Sequence, residues 1–200
     1  MVMLSYARRS RLQRLIDLKI APTETLTRER YLFYRRYRET RSRLEAKTGV
    51  RDEELLDRIL RSGLTEETVV ALPLLPVALT AWASGEVTAD EAIAAEFIVF
   101  DRSMSIGGGA SIGDAAVEQF RQWLQNRPDE TWVKLWLDYS EQRRQIVGDI
   151  QHYGLGVLIH EVATRVAKAS GGWFGYGSVC SQEAEMLSRI REVHRLDRWQ

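Results

Sequence analysis

Apolar residues recur along most of this chain at intervals of three and four, the spacing that gathers them on one face of an α-helix. The stretch "TLTRERYLFYRRYRETRSRLEAKTG" predicts a helix that opens near Thr25 or Thr27 and ends at Gly49, with Glu29 as an acid in its first turn. Upstream, Leu12, Leu15, Ile16 and Lys19 outline a shorter helical segment. Leu55, Leu56, Ile59 and Leu60 outline another, which Gly63 is placed to end. A further helix is expected from Thr65, carrying Val69, Leu72, Leu75, Val77 and Leu79. Pro73 and Pro76 must start or bend it, because proline has no backbone N–H to donate.

Downstream, Thr88 and Glu91 have the T-x-x-E spacing of a capping box, followed by Ile93, Phe97 and Phe100 on one helical stripe. "SIGGGASIGD" interrupts the periodicity. A helix with Val117, Phe120 and Leu124 then ends before Pro128, and another runs from Asp129 to about Tyr139 with Val133, Trp136 and Leu137 inward. Leu155, Leu158, Ile159, Val162 and Val166 keep the spacing of a buried face between Gln145 and Ala169, although Gly148, Gly154 and Gly156 weaken its early part. The last helix carries Met186, Leu187, Ile190 and Val193. No alternating strand pattern competes, so the expected fold class is all-α, a compact multi-helix bundle.

The chain also echoes itself. Ala81-Trp82-Ala83-Ser84-Gly85 and Ala167-Lys168-Ala169-Ser170-Gly171 agree at four of five positions, 86 residues apart. Val87-Thr88-Ala89-Asp90-Glu91 and Val179-Cys180-Ser181-Gln182-Glu183 correspond at a spacing of 92, the extra six residues being Gly-Trp-Phe-Gly-Tyr-Gly at 172–177. Each copy reads as an apolar helix, an Ala-Ser-Gly ending, a connection, and a new helix with Glu in its first turn. "LPLLPVALTAWASGEVTADE" resembles the L-x-P-L-x-x-V-A-W-A-D-G-E-V-x-x-x-E segment of the TerB-like, tellurite-resistance family. "RPDETWVKLWLDY" and "VATRVAKASGGWFGYGSVCSQEAEMLSRI" are similar to later segments of that family, so the resemblance spans roughly Gly49 to Val193. It implies a helical bundle with two related halves and a cytoplasmic protein of the tellurite and stress-response type. It further implies metal binding, action near the inner face of the membrane, and no established reaction. Ser84 and Ser170 stand where the family has an acid, leaving Glu86, Asp90, Glu91 and Glu183 as the carboxylates for a divalent cation, a weakened set. First-turn helix capping is the competing explanation of Glu91 and Glu183.

Charge changes the picture at the amino-terminal end. The protein has 28 basic and 28 acidic residues among 200, yet residues 1–48 hold 13 basic against 5 acidic and carry +8, leaving −8 for the remainder. Residues 1–48 therefore read as a basic helical extension and residues 49–200 as the helical domain. In "RERYLFYRRYRETRSR", Arg28, Arg30, Arg35 and Arg38 are interleaved with Tyr31, Phe33, Tyr34 and Tyr37. That composition suits nucleic acid or an anionic membrane surface, or a helix docked through its aromatics with its arginines in water. Trp173, Phe174 and Tyr176 in the glycine-rich insert are candidates for contact with a protein partner.

Other chemistry is poorly represented. No apolar run approaches the roughly 20 residues needed to span a bilayer, and early apolar residues followed by arginines in "MVMLSYARRSRLQRL" reverse the order of a secretory signal. A single cysteine, Cys180, fits a reducing compartment. "HEVAT" at 160–164 lacks the second histidine of a zincin helix, and His152, His160, His194 and Cys180 match no compact zinc spacing, so they are expected as surface or satisfied helix residues. The glycine clusters at 107–109 and 171–177 lack the Gly-Lys-Ser/Thr of a phosphate loop, and no nucleophile, base and acid can be assigned as a set. A non-enzymatic binding protein is the expectation.

Overall fold

The computed structural model describes residues 25–100, 112–169 and 179–198. Among them every regular element is helical, and the fold is the expected all-α multi-helix bundle. In chain order the elements are α1 (Thr25–Thr48), α2 (Glu53–Arg61), a 3-10 segment (Val69–Leu74), α3 (Leu75–Ala81), α4 (Ala89–Phe100), α5 (Asp114–Gln125), α6 (Glu130–Val147), α7 (Asp149–Ala169), α8 (Ser181–Val193) and a closing 3-10 turn (Leu196–Arg198). The segment from Leu12 to Lys19, the glycine run 107–109, Ser170 and the insert with Trp173, Phe174 and Tyr176 lie outside the described residues.

The chain forms two compact units, Met1–Glu39 and Thr40–Gln200. The division falls inside α1 instead of at Gly49, because Leu44, Thr48 and Val50 are buried and Leu44 and Val50 belong to the hydrophobic core. Arg41 pairs with Glu53 at 2.7 Å and Arg43 with Glu66 at 3.2 Å, so these two arginines are already spent on acids of the second unit. A count of charges along the chain has no means of seeing this.

The second unit is built around α3, all seven of whose residues are buried. A helix that is apolar on every side can exist only where neighbours surround it. Its one polar side chain, Thr80, donates its hydroxyl proton to the Pro76 carbonyl at 2.8 Å and so presents no unpaired group to the core. The continuous helix expected from Thr65 is instead a 3-10 segment with Pro73 inside it, followed by α3 with Pro76 in its first turn, where a missing N–H breaks no helical bond. Around α3 the helices interlock: α3 packs on α7, α4 packs on α7, and α8 packs on both α7 and α3. Trp136 of α6, Phe120 of α5 and Ile190 of α8 are among the largest side chains fully enclosed by this arrangement.

Two further expectations are corrected. Helix α6 runs past Tyr139 to Val147, and α7 begins at Asp149, not at Gln145. Nothing in "SEQRRQIV" breaks a helix; the break comes at Gly148, whose φ of +84° is one that side-chain-bearing residues rarely adopt. On α4, Ile93 and Phe97 are each 67% exposed, while Glu91 and Ala95 face inward. Periodicity identified a shared face there without identifying which face turns to the core.

Among the described glycines, Gly156 has the closest neighbour. A Cβ built on it would lie 2.2 Å from His194 Cβ and 2.4 Å from His194 Cγ, distances that real side chains do not tolerate. Replacing glycine by alanine inside a helix ordinarily stabilises it by about 1 kcal/mol. Here the sign should reverse: Gly156→Ala is expected to lower Tm by several degrees in a calorimetric scan, and an unchanged or raised Tm would contradict this packing.

Candidate functional site

Three groups of residues carry chemistry. The first is the arginine and aromatic face of α1. At 3.6 residues per turn, Phe33, Tyr37, Arg30, Tyr34, Arg38 and Tyr31 follow one another around less than half of the helix circumference, so arginines and rings alternate. Tyr31 and Phe33 are each 65% exposed, and Leu32 and Tyr34 are exposed as well. Phe33 meets Tyr34 edge-on at 5.9 Å and stacks on Tyr37 at 6.4 Å. The ring contacts of Phe33 are thus with its own neighbours along the helix, Tyr34 and Tyr37. Arg35 pairs with Glu39 at 2.8 Å, which raises its pKa further. Arg28, Arg30 and Arg38 are exposed and have no ion pair among the described residues.

The second group is the pair of buried first-turn glutamates. Glu91 Oε2 accepts hydrogen bonds from the Thr88 N–H at 2.7 Å and the Thr88 hydroxyl at 2.8 Å, while the Glu91 N–H donates back to the Thr88 hydroxyl oxygen at 3.3 Å. Glu183 Oε2 accepts from the Cys180 N–H at 2.6 Å, and the Glu183 N–H donates to Cys180 Sγ at 3.4 Å. Both are reciprocal capping boxes, the second with a thiol where a hydroxyl is usual. Glu86 and Asp90 are exposed, and the Ser84 hydroxyl is occupied by the Glu86 carbonyl at 3.0 Å. Among the described residues no three His, Cys, Asp or Glu side chains gather as a cation would require. Glu91 keeps one oxygen, Oε1, buried without a hydrogen-bond partner, but no second carboxylate joins it in such a group. These residues do not fit a hard divalent ion, which wants six or more oxygens.

The third group was not anticipated. His152 of α7 and His194 at the end of α8, expected as surface or satisfied residues, are each only 2% exposed, and their rings stack at 4.4 Å with 28° between planes. His152 Nε2 lies 3.1 Å from the Val193 carbonyl and His194 Nδ1 lies 3.3 Å from the His152 carbonyl. Burial, and then its neighbour His152, push the His194 pKa down to about 3; burial lowers His152 as well. The residue following the pair, Arg195, has a φ of +55°, the only such non-glycine among the described residues. The one local clue in the sequence is Gly156, one helical turn after His152. His160 lies apart, partly buried beside Arg165 and Arg191, and Cys180 serves as a cap.

No protein-family model, curated protein or solved structure matches this chain.

Two outcomes follow from these groups. Glu91→Ala removes the acceptor for the Thr88 N–H and should destabilise the protein by about 1–2 kcal/mol in urea unfolding; a change under 0.3 kcal/mol would show that the cap contributes nothing measurable. Second, His194 titrates near pH 6.5 when unfolded and near 3 when folded, so below pH 6.5 the unfolded chain binds more protons than the folded one. Stability should fall as pH drops from 6.5 toward 3. Carboxylates held low by their partners, such as Glu141, which an Arg144 hydrogen bond holds at about 2, add their main slope at lower pH, around and below their ordinary values near 4. Unfolding free energies of wild type and His194→Gln at pH 7 and pH 5 check this: the wild type should lose more.

Proposed function

We propose that this protein works by binding and not by catalysis, and that the exposed face of α1 holds single-stranded nucleic acid. The observation that carries the reading is the alternation of Arg30 and Arg38 with Phe33, Tyr34 and Tyr31 on one exposed face. Guanidinium groups meet phosphate oxygens through paired hydrogen bonds, and aromatic rings accept any base, at roughly 1–3 kcal/mol per stacked base. A helix lying on an anionic membrane wants its charges segregated from its apolar side, so that rings enter the acyl boundary while cations stay among headgroups. Here two arginines sit inside the aromatic arc, which favours the polymer over the bilayer. No described helix is long and apolar enough to cross a membrane.

A second reading is supported by a separate observation. The capping boxes at Thr88–Glu91 and Cys180–Glu183 stand at the two positions where the chain echoes itself, each opening the helix that follows a core helix. That correspondence favours a TerB-like protein of the tellurite and stress-response type, cytoplasmic or peripheral at the inner membrane face and acting on a protein partner. On this reading α1 adds a nucleic-acid contact to a helical binding body.

Fluorescence anisotropy with a labelled 20-nucleotide single strand tests the proposal. Binding should weaken steeply between 50 and 200 mM salt, and Arg30→Glu with Arg38→Glu should cost on the order of tenfold or more in affinity. Binding to anionic liposomes with none to the oligonucleotide would transfer the face to a membrane role. Binding to neither would overturn the proposal.

A further inference from the structure

We infer that the stacked pair His152 and His194 is an acid-sensitive latch: with both rings neutral it holds the end of α8 and the 3-10 turn after it on α7, and when the rings take up protons that segment lifts. The device lies within the unit Thr40–Gln200 and is independent of what α1 binds.

The closed arrangement has no place for an added proton. A carbonyl oxygen only accepts, so the ring nitrogens that face carbonyls carry the protons: His152 Nε2 donates to Val193 at 3.1 Å and His194 Nδ1 donates to His152 at 3.3 Å. A further proton must go to His152 Nδ1 or His194 Nε2, and both are buried with no hydrogen-bond partner. It would create a buried cation with nothing to answer it, against a second ring centred 4.4 Å away. Those nitrogens meet water only when the rings part, so protonation and opening are one event.

The surrounding charges do not relieve this. Glu141, Arg143 and Arg144 of α6 act on the pair, and Asp149, Arg195 and Arg198 line the cavity beside it. Helix α3, which also packs on α8, brings no ionisable group. Arg144 engages both acids, Glu141 at 2.6 Å and Asp149 at 2.9 Å, and neither ring has a carboxylate to hold an added charge. Burial and then His152 accordingly hold His194 down to about 3, and burial lowers His152.

The opening is confined to one end of the helix. Ile190, one turn before His194, belongs to the core and anchors α8, whereas the turn Leu196–Arg198 rests on α7 and α8. Arg195 holds a φ of +55°, a left-handed conformation that costs a side-chain-bearing residue stability and relaxes when the segment lifts. Lifting also uncovers Leu196, which is 6% exposed, and widens the cavity of about 550 Å³ that it lines with Tyr153, Val157 and His160. Acid thus makes a covered apolar strip of α7 reachable.

An exposed histidine titrates near 6.5, so between pH 7.5 and 5.5 the open population should rise about tenfold for each histidine protonated on opening, and about a hundredfold for the pair. Amide hydrogen exchange of the full chain tests this, read as protection factors so that the intrinsic effect of pH on exchange is removed. The reporters are the His194 and Arg195 N–H groups, bonded to the Ile190 and Glu192 carbonyls; the Trp82 N–H, bonded to Ala78 at the end of α3, reports opening of the whole unit. Protection at 194 and 195 should fall about a hundredfold from pH 7.5 to 5.5 and stay below that at 82. It should change little in about 1 M urea, which lowers protection at 82, because a local opening exposes little surface. His194→Gln and His152→Gln, made separately, should each reduce the fall to about tenfold. No fall with pH, a fall undiminished in both variants, or protection at 194 and 195 that matches position 82 in size and urea response would overturn the inference.

Discussion

Enclosure of α3 on every side is the constraint on which the larger unit depends. Seven residues are too few to hold a helix in water, since the first turn costs more than its single hydrogen bond returns. Leu75–Ala81 is helical because its neighbours remove it from water, and those neighbours are set by what it presents. It presents no polar side, so α5, α6, α7 and α8 must each turn a face toward it. The paired prolines belong to the same solution. Pro73 within the 3-10 segment and Pro76 in the first turn of α3 bring the chain into the core at places where a missing N–H is not a missing bond.

Two helices that come next in the chain after core helices, α4 after α3 and α8 after α7, each start at a buried glutamate. Glu91 and Glu183 are effectively unexposed, unusual for carboxylates, yet each spends an oxygen on a backbone N–H that would otherwise be unpaired at a helix start. The helices that follow cross over: α4 lies on α7 and α8 on α3. The spacing of 86 and then 92 residues in the echo thus corresponds to a repeated structural step and not to similar composition alone. It is also why these glutamates are poor candidates for a metal: their outward reach is used by the cap.

What was legible in the sequence was local. Thr88 and Glu91 announced their cap because the motif lies within four residues, and Cys180 with Glu183 was visible as an acid in a first turn though not as a thiol cap. Gly148 was recognised as weakening a helix; that it ends α6 instead depends on a positive φ that composition does not encode. The aromatics of α1 marked a face for which docking and binding were both open, and Ile93 and Phe97 formed a stripe that faces solvent. In both cases periodicity defines a face, and only the surrounding helices decide its direction. The His152–His194 stack joins residues 42 apart through the packing of α8 on α7, which no local pattern contains.

That stack departs from local rules in four ways at one place. A glycine occupies the interior of α7 where alanine would favour the helix; two imidazoles are kept neutral in the core; two ring nitrogens lack partners; and a non-glycine residue adopts a left-handed conformation immediately afterwards. Each departure alone is a common imperfection, and each costs stability. Leucine at 194 would remove the ring titration and the unpaired nitrogen together, while keeping an apolar side chain against α7. Each ring also does what leucine could not, offering a nitrogen to a backbone carbonyl where α8 packs on α7: His152 to Val193 and His194 to His152. The cost of burying two imidazoles and of crowding Gly156 is thus offset by a pair of long-range hydrogen bonds that fix the end of α8 against the start of α7.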